Sequence, residues 1–231
     1  YSVAVDVTGL VVERLTGLPL DEYIDTNILK PLQMNDTFFE VPPTKRDRFV
    51  QNHFINPETG SLINADYAPA PYGYREGVAL SDYFDVSLIS GGAGLVSTAL
   101  DYARFAEMLR RGGTLDGARI LGPKSIAFMT KNHLSEPSMH AAWEQIPTPD
   151  IGRPGFGFGL GFGVVTDATA IGILGSDGEY NWGGAAGTIF WVDPTEELVV
   201  VSLIQLMQSP WPLRADVKVA VYQALTETYE K

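Results

Sequence analysis

The stretch Gly155-Phe156-Gly157-Phe158-Gly159-Leu160-Gly161-Phe162-Gly163-Val164-Val165-Thr166 divides the chain in character. Before it the sequence reads as helices and polar loops. From it onward, runs rich in β-branched and aromatic residues, bounded by turn signals, read as strands. Those runs are Phe156 to Thr166, Ala170 to Leu174, Gly187 to Val192 and Leu198 to Leu206, with turns at Ser176-Asp177-Gly178 and Asp193-Pro194. From Pro212 to about Thr228, Leu213, Val217, Val221 and Leu225 recur every four residues, which predicts a helix packing that stripe on the sheet. The alternating glycines leave one face of their strand bare, open to another backbone, a helix or a ligand. No G-x-G-x-x-G occurs there, so dinucleotide binding is not supported.

Upstream, Val3, Val7, Leu10, Val11 and Leu15 form an apolar stripe at helical spacing, stopped by Gly17 and Pro19. A second helix follows, with Leu20, Ile24 and Ile28 as its buried stripe, Asp21 and Glu22 in its first turn, and Pro31 at its end. Thr98-Ala99-Leu100-Asp101 resembles a capping box opening a third helix, which Arg110-Arg111 and Gly112-Gly113 close. Pro123 suits the first position of a short fourth helix ending near 131. Between Gln33 and Ser90 the sequence is rich in Pro, Asn, Asp, Gly and Tyr without sustained periodicity. About 55 residues of loop far exceeds the usual connection of about 4–6, which points to a wall or lid over a site, or else to a meandering surface excursion. Helices and loops first, then antiparallel strands with a packing helix, give an α+β fold. The expected domains are 1–153, helical and loop-rich, and 154–231, a sheet with its terminal helix.

Composition narrows the function classes. With 231 residues, 45% of them hydrophobic, the chain can bury a sizeable core. A formal charge of −12 opposes binding to phosphate backbones, so nucleic acid is not an expected partner. No cysteine is present, which removes disulfides, thiolate nucleophiles and Cys-held metals. The longest strongly apolar run, Leu198 to Met207, carries Ser202 and Gln205 and falls well short of the roughly 20 residues of a membrane span.

Several chemistries fail on their motifs. His53, His133 and His140 show no H-E-x-x-H and no pair at helical spacing, so they read as surface or hydrogen-bonded loop residues and no metal site is expected. No G-x-S-x-G is present, which removes the nucleophile elbow. Tyr1 cannot serve as the nucleophile of an N-terminal-nucleophile hydrolase, which needs Ser, Thr or Cys there. Asn35-Asp36-Thr37 fits a glycosylation acceptor, without sign of a glycosylating compartment.

Four further segments stand in a telling order. Tyr1-Ser2-Val3 is followed by Gly9, Val12, Glu13 and Gly17; then come Ile28-Leu29-Lys30-Pro31-Leu32-Gln33-Met34-Asn35-Asp36-Thr37-Phe38, Ser90-Gly91-Gly92-Ala93-Gly94-Leu95 with the helix after it, and Trp182-Gly183-Gly184-Ala185. Together they resemble the serine β-lactamase/penicillin-binding-protein superfamily, in its class C β-lactamase-like branch that includes carboxylesterases. Gln33 stands where that family usually has Gly.

The resemblance implies a β-lactamase/transpeptidase-like fold, present in part, and acyl transfer through a serine ester without metal or organic cofactor. It implies Tyr1 as general base and acid, a phenol whose pKa a neighbouring ammonium must lower. It implies that Ala185 supplies an oxyanion-hole N–H, that Gly183 and Gly184 allow close approach of substrate, and that Trp182 forms an apolar wall. Lactamases place a cation at the Trp182 position, able to pair with an antibiotic carboxylate; an indole offers one neutral N–H and a flat apolar face, which favours small carboxylic esters. Packing alone is the competing account of Trp182. In the long loop, Tyr67, Tyr72, Tyr74 and Tyr83 are candidates to line the site, Tyr72 and Tyr74 foremost.

The family's nucleophile lies in Ser-x-x-Lys, and the one match here is Thr228-Tyr229-Glu230-Lys231 at the C-terminus, where a fraying tail cannot hold a preorganised site. Three accounts are open. A companion N-terminal segment carries the motif; or the chain is a binding module of the penicillin-binding-protein type without turnover; or the likeness is one of fold alone. β-Lactamase or D-amino-acid peptidase activity is the alternative within the family. In the first account, sheet edge and apolar surface should be exposed where the companion belongs.

Overall fold

The structure is a computed structural model that describes residues 3–56, 58–64, 83–135, 154–207 and 209–229. The chain divides into two compact units, Tyr1–Tyr102 with Gln205–Ser209, and Ala103–Ile204 with Pro210–Lys231. The boundary expected at 153–154 falls at the edge of a stretch outside the described residues.

In the first unit, α1 (Val3–Thr16) is a helix as its periodicity predicts, but it buries a different face. The expected stripe faces outward, with Val3 69% and Leu15 81% exposed and Val7, Leu10 and Val11 exposed as well. The packed face runs through Val5, Asp6, Gly9, Val12 and Glu13. Gly9 explains the choice: a Cβ there would lie 2.7 Å from Leu20 Cδ2 and 3.9 Å from Gly91 Cα, so the glycine face lets α1 approach its neighbours. Periodicity identifies the apolar face; it does not say which face finds a partner. Glu13 Oε1 then accepts from Leu20 N at 2.9 Å, satisfying a free N–H at the start of α2 (Leu20–Ile24).

α2 continues into a π-helical turn, Asp25–Leu29. The wider turn inserts one residue into the repeat. Leu20 and Leu29 are buried while Ile28 is half-buried, so the predicted 20/24/28 stripe becomes 20/24/29. The helix closes as a Schellman motif: Met34 N donates to Leu29 O at 2.9 Å and Gln33 N to Lys30 O at 3.0 Å. Gln33 takes φ 55, the left-handed conformation, which is the physical reason Gly is usual there.

Asp36 binds Arg48 at 2.8 Å and Lys45 at 2.7 Å, and these two cations, Arg48 first, hold its carboxyl at about 2. The region from Gln33 to Ser90 contains regular structure that its composition hid: a 3₁₀ helix over Pro43–Arg48, and a hairpin of β1 (His53–Ile55) and β2 (Leu62–Asn64). The Asn56 side chain builds the hairpin turn, accepting from Glu58 N at 2.9 Å, with Gly60 at φ 70. The chain returns at Leu206, whose bridge to His53 is parallel.

The third helix is α3 (Ala99–Arg110). Thr98 Oγ1 accepts from Asp101 N at 3.2 Å, the first half of the expected capping box. Asp101 turns elsewhere, accepting from Asp36 N at 2.7 Å and Thr37 Oγ1 at 2.9 Å. Gly112 and Gly113, at φ 69 and 96, end α3 as expected. β3 (Thr114–Leu115) and β4 (Ala118–Arg119) form a tight hairpin before α4 (Pro123–Met129), which has Pro123 at its first position.

The second unit carries a five-stranded antiparallel meander in sequence order: β5 (Phe156–Phe158), β6 (Gly163–Val165), β7 (Tyr180–Gly183), β8 (Ile189–Asp193) and β9 (Leu198–Ser202). The single strand expected over Phe156 to Thr166 is therefore a hairpin, pairing Phe156 with Val165 and Phe158 with Gly163. The expected strand Ala170 to Leu174 is instead a short helix, α5 (Ala168–Ile171), capped by Asp167, which accepts from Ala170 N, and ended by Gly172 at φ 78.

The alternating glycines do admit close neighbours. A Cβ on Gly157 would lie 2.5 Å from the side chain of Asn132, just after α4, and one on Gly159 2.1 Å from the O of Met129, the last residue of α4. Asn132 Oδ1 accepts from Phe158 N at 3.1 Å and His133 N donates to Phe158 O at 2.8 Å, so this segment covers the outer side of β5. Among the described residues no strand pairs the outer edge of β9.

The last helix, α6 (Leu213–Gln223), is half-buried along 213/217/221 and equally along Arg214, Lys218 and Tyr222, while Leu225 lies beyond it and is exposed. The packing face is thus wider and more polar than the stripe predicts.

Two measurements test these local assignments. Gln33→Gly relieves the left-handed strain at the cost of a looser unfolded chain, so it should stabilise by about 0.5–1 kcal/mol and raise Tm by about 1–4 °C. Asp36 has a depressed folded pKa, so its contribution is present above the unfolded value near 3.9 and is lost as pH falls through about 2. Asp36→Asn should therefore flatten stability against pH below about 4 in acid titrations of unfolding.

Candidate active site

Residues of the glycine-rich 90–94 segment are tied to α1 by one carboxylate. Asp6 Oδ1 accepts from Ser90 Oγ at 2.6 Å and Gly92 N at 3.2 Å, and those bonds, the Ser90 hydroxyl first, lower its pKa. Gly91 is required by contact: a Cβ there would lie 2.7 Å from Val5 O. Gly94 is as tight, its Cβ direction meeting Ser90 O at 2.6 Å and Phe39 at 2.8 Å. Tyr83 O accepts from Val41 N at 2.8 Å and its hydroxyl donates to Ala93 O at 3.4 Å, so this candidate braces the same segment.

In the second unit the Trp182-Gly183-Gly184-Ala185 corner ends β7 and opens the turn to β8. β-Strand alternation puts Tyr180 and Trp182 on one face, Asn181 and Gly183 on the other. Trp182 is half-buried, edge-on to Phe158 at 5.0 Å, so it is fixed by packing as well as facing out in part. On that same face burial pushes the Tyr180 phenol well above its usual range, and Phe162 meets its ring at 5.4 Å.

Past Gly183 the turn is closed by Gly184 N donating to Thr188 O at 3.0 Å and Gly187 N to Gly184 O at 3.1 Å, with Gly187 at φ 84. Ala185 is exposed at its tip, and no described group accepts its N–H. An exposed, uncommitted N–H on a hydrogen-bonded turn is what an oxyanion donor requires.

The space left by the Gly183 side chain is filled from inside the protein: a Cβ there would lie 2.7 Å from Thr188 O and 2.8 Å from the Arg214 guanidinium. Arg214, and not an approaching substrate, takes the space expected at Gly183, and no motif singles Arg214 out.

On the opposite end of β7, Glu179 and Asp193 are fully buried. Lys218 Nζ binds Glu179 Oε1, and Tyr222 Oη lies 3.0 Å from Glu179 and 2.8 Å from Asp193. Burial pushes the Glu179 carboxyl upward while Lys218 pulls it back, and burial with two adjoining carboxyls raises Tyr222 far beyond the ordinary phenol range. No His/Cys/Asp/Glu cluster suited to a metal occurs among the described residues. His133 bonds Phe128 O at 2.8 Å, as a hydrogen-bonded loop histidine should. Tyr1, Tyr67, Tyr72, Tyr74 and His140 lie outside the described residues. No described helix is long and apolar enough to cross a membrane.

Mixed helices and an antiparallel sheet in this arrangement define a β-lactamase/transpeptidase-like fold. Residues 1–224 match the beta-lactamase family, and the chain belongs to that family of serine hydrolases. Esterase EstB of Burkholderia gladioli is 32% identical over 208 residues, covering 88% of this chain and 48% of the esterase. EstCE1, a hydrolase with promiscuous acyltransferase activity, superposes with a TM-score of 0.75 at 28% identity, over 96% of this chain and 55% of its own. The LovD6 mutant of simvastatin synthase (LovD) from Aspergillus terreus shares the fold, with a TM-score of 0.76 at 24% identity, over 94% of this chain and 53% of its own. The chain spans about half the length of the relatives it matches.

Gly91→Ala should force Val5 and α1 away from the loop and cost about 1–3 kcal/mol in denaturant titrations. Gly122→Ala, where an added Cβ meets nothing within 4 Å, is the control and should cost less than about 1 kcal/mol.

Proposed function

We propose that this chain is the tyrosine- and oxyanion-bearing part of a serine hydrolase that acts by acyl transfer on small carboxylic esters. The observation that carries the reading is the exposed, uncommitted Ala185 N–H on a braced turn, and the half-buried Trp182 three residues before it, where the family's lactamases have a cation, favours an ester. In the cycle, the serine oxygen attacks the ester carbonyl, its proton passes to the Tyr1 oxygen, and the Ala185 N–H stabilises the tetrahedral oxyanion. Collapse expels the alcohol, which takes the proton from Tyr1, and water repeats the sequence to free the acid. That EstB is named an esterase and EstCE1 a hydrolase with acyltransferase activity supports this reaction class.

The serine and its lysine belong, in this proposal, to a companion segment with the Ser-x-x-Lys motif. The outward apolar stripe of α1, from Val3 to Leu15, supports a surface that such a segment covers. The chain assembled with that segment should release nitrophenol from 4-nitrophenyl butyrate faster than it opens nitrocefin, and Tyr1→Phe should lower kcat by about 10²–10⁴-fold. Faster turnover of the β-lactam would overturn the ester assignment. An unchanged kcat in Tyr1→Phe would overturn the mechanism. Binding of a β-lactam with no turnover of either compound would replace the enzyme with a binding module.

A further inference from the structure

We propose that Arg214 is a positioning residue for the oxyanion corner: from the first turn of α6 it orients and polarises the peptide group whose N–H is that of Ala185. The inference rests on the oxyanion role of Ala185 proposed above.

Arg214 Nη2 donates to Gly184 O at 2.5 Å and to Thr188 O at 3.2 Å, one hydrogen for each carbonyl. The Gly184 carbonyl and the Ala185 N–H belong to one peptide unit, which is planar and trans, with its C=O and N–H pointing in opposite directions. Fixing the oxygen therefore fixes the direction of the hydrogen. A charge-assisted bond to the oxygen also draws electron density from the nitrogen and strengthens the N–H as a donor, the cooperative effect of linked hydrogen bonds. Gly187 N, also on Gly184 O at 3.1 Å, holds the same oxygen from the turn itself. The second bond, to Thr188 O, ties the far side of the turn to the same guanidinium, so the corner cannot pivot about β7 alone.

Two further features fit this role. Gly183 leaves the space the guanidinium occupies, since a Cβ there would lie 2.8 Å from Arg214 Cζ. Arg214 forms no ion pair among the described residues, so no carboxylate competes with the carbonyls for its charge. Lysine cannot substitute fully, because an ammonium lacks the planar fork and is more strongly hydrated.

The test uses Arg214→Met and Arg214→Lys in the chain assembled with its Ser-x-x-Lys segment. In Arg214→Met, kcat for 4-nitrophenyl butyrate should fall about 10–100-fold, less than the 10²–10³ of losing a donor outright, with KM changed less than about two-fold. Affinity for phenylboronic acid, whose tetrahedral adduct mimics the oxyanion, should fall by a matching factor. Arg214→Lys should lie between. Amide exchange, read without activity, should quicken at Gly184 and Gly187 in Arg214→Met and stay unchanged at β8.

Unaltered exchange at Gly184 and Gly187 overturns the brace. Quickened exchange with unaltered kcat and boronate affinity overturns its part in catalysis. A fall in kcat with boronate affinity unchanged assigns the loss to folding and overturns the proposal as well. If the unsubstituted assembly hydrolyses no ester, the esterase reading falls and takes the catalytic part of this proposal with it, while the exchange result still decides whether Arg214 holds the turn.

Discussion

Arg214, Lys218 and Tyr222 stand one helical turn apart on α6, and their polar tips meet the two ends of β7. Eight residues of helix rise about 12 Å and the five steps from Glu179 to Gly184 about 17 Å, so the row can run alongside the strand with extended side chains covering the difference. At one end it meets buried Glu179 and Asp193, at the other the carbonyls of Gly184 and Thr188. Apolar packing alone would tolerate a helix rotated or slid by a residue. The carboxylates do not tolerate it, because a shift would leave them buried without donors, a loss of about 3–5 kcal/mol for a broken buried pair. The cluster adds little net stability over apolar groups of the same shape; its effect is to select one register for α6, and with it one position for the Ala185 corner.

How much of this was legible follows from what a sequence encodes locally. Thr98, Pro123 and the Gly112-Gly113 pair act within a few residues of themselves, and each does what its position predicts. The glycines from Gly157 to Gly159 announced a close neighbour without naming it, and Asn132 and Met129 supply it. The failures have a common cause in partners remote in sequence. Val3, Val7, Leu10, Val11 and Leu15 have faultless helical spacing, yet the face that packs is the one where Gly9 permits contact with Leu20 and Gly91. Ala170 to Leu174 is apolar enough for a strand, but Asp167 and Gly172 frame a single helical turn, a signal that was present and outweighed by composition. The candidate site divides similarly: the Trp182-Gly183-Gly184-Ala185 corner was singled out by a contiguous motif, whereas nothing local marks Arg214, 30 residues beyond Gly184.

The charge of −12 takes on a structural meaning in the same light. Several of the carboxylates accept from backbone N–H groups that regular structure leaves without partners. Glu13 receives Leu20 N, Asp6 receives Gly92 N, Asp101 receives Asp36 N, Asp177 receives Ala168 N, and Asp193 receives Thr195 N and Glu196 N. Each accepted N–H lies in a turn, in a loop or at the first residue of a helix, and the bonds to Glu13, Asp6, Asp101 and Asp177 join segments apart in sequence. A hydrogen bond to a charged acceptor is roughly twice as strong as a neutral one, which suits an acidic residue to such a joint. The excess of acid therefore opposes polyanions while it supplies acceptors to N–H groups in turns and at helix starts. Cations bind carbonyls in their turn, Lys45 at Asn35, Arg46 at Phe84 and Arg214 at the Ala185 corner. At that corner the guanidinium holds the Gly184 oxygen, and no described group accepts the N–H of the same peptide unit, that of Ala185.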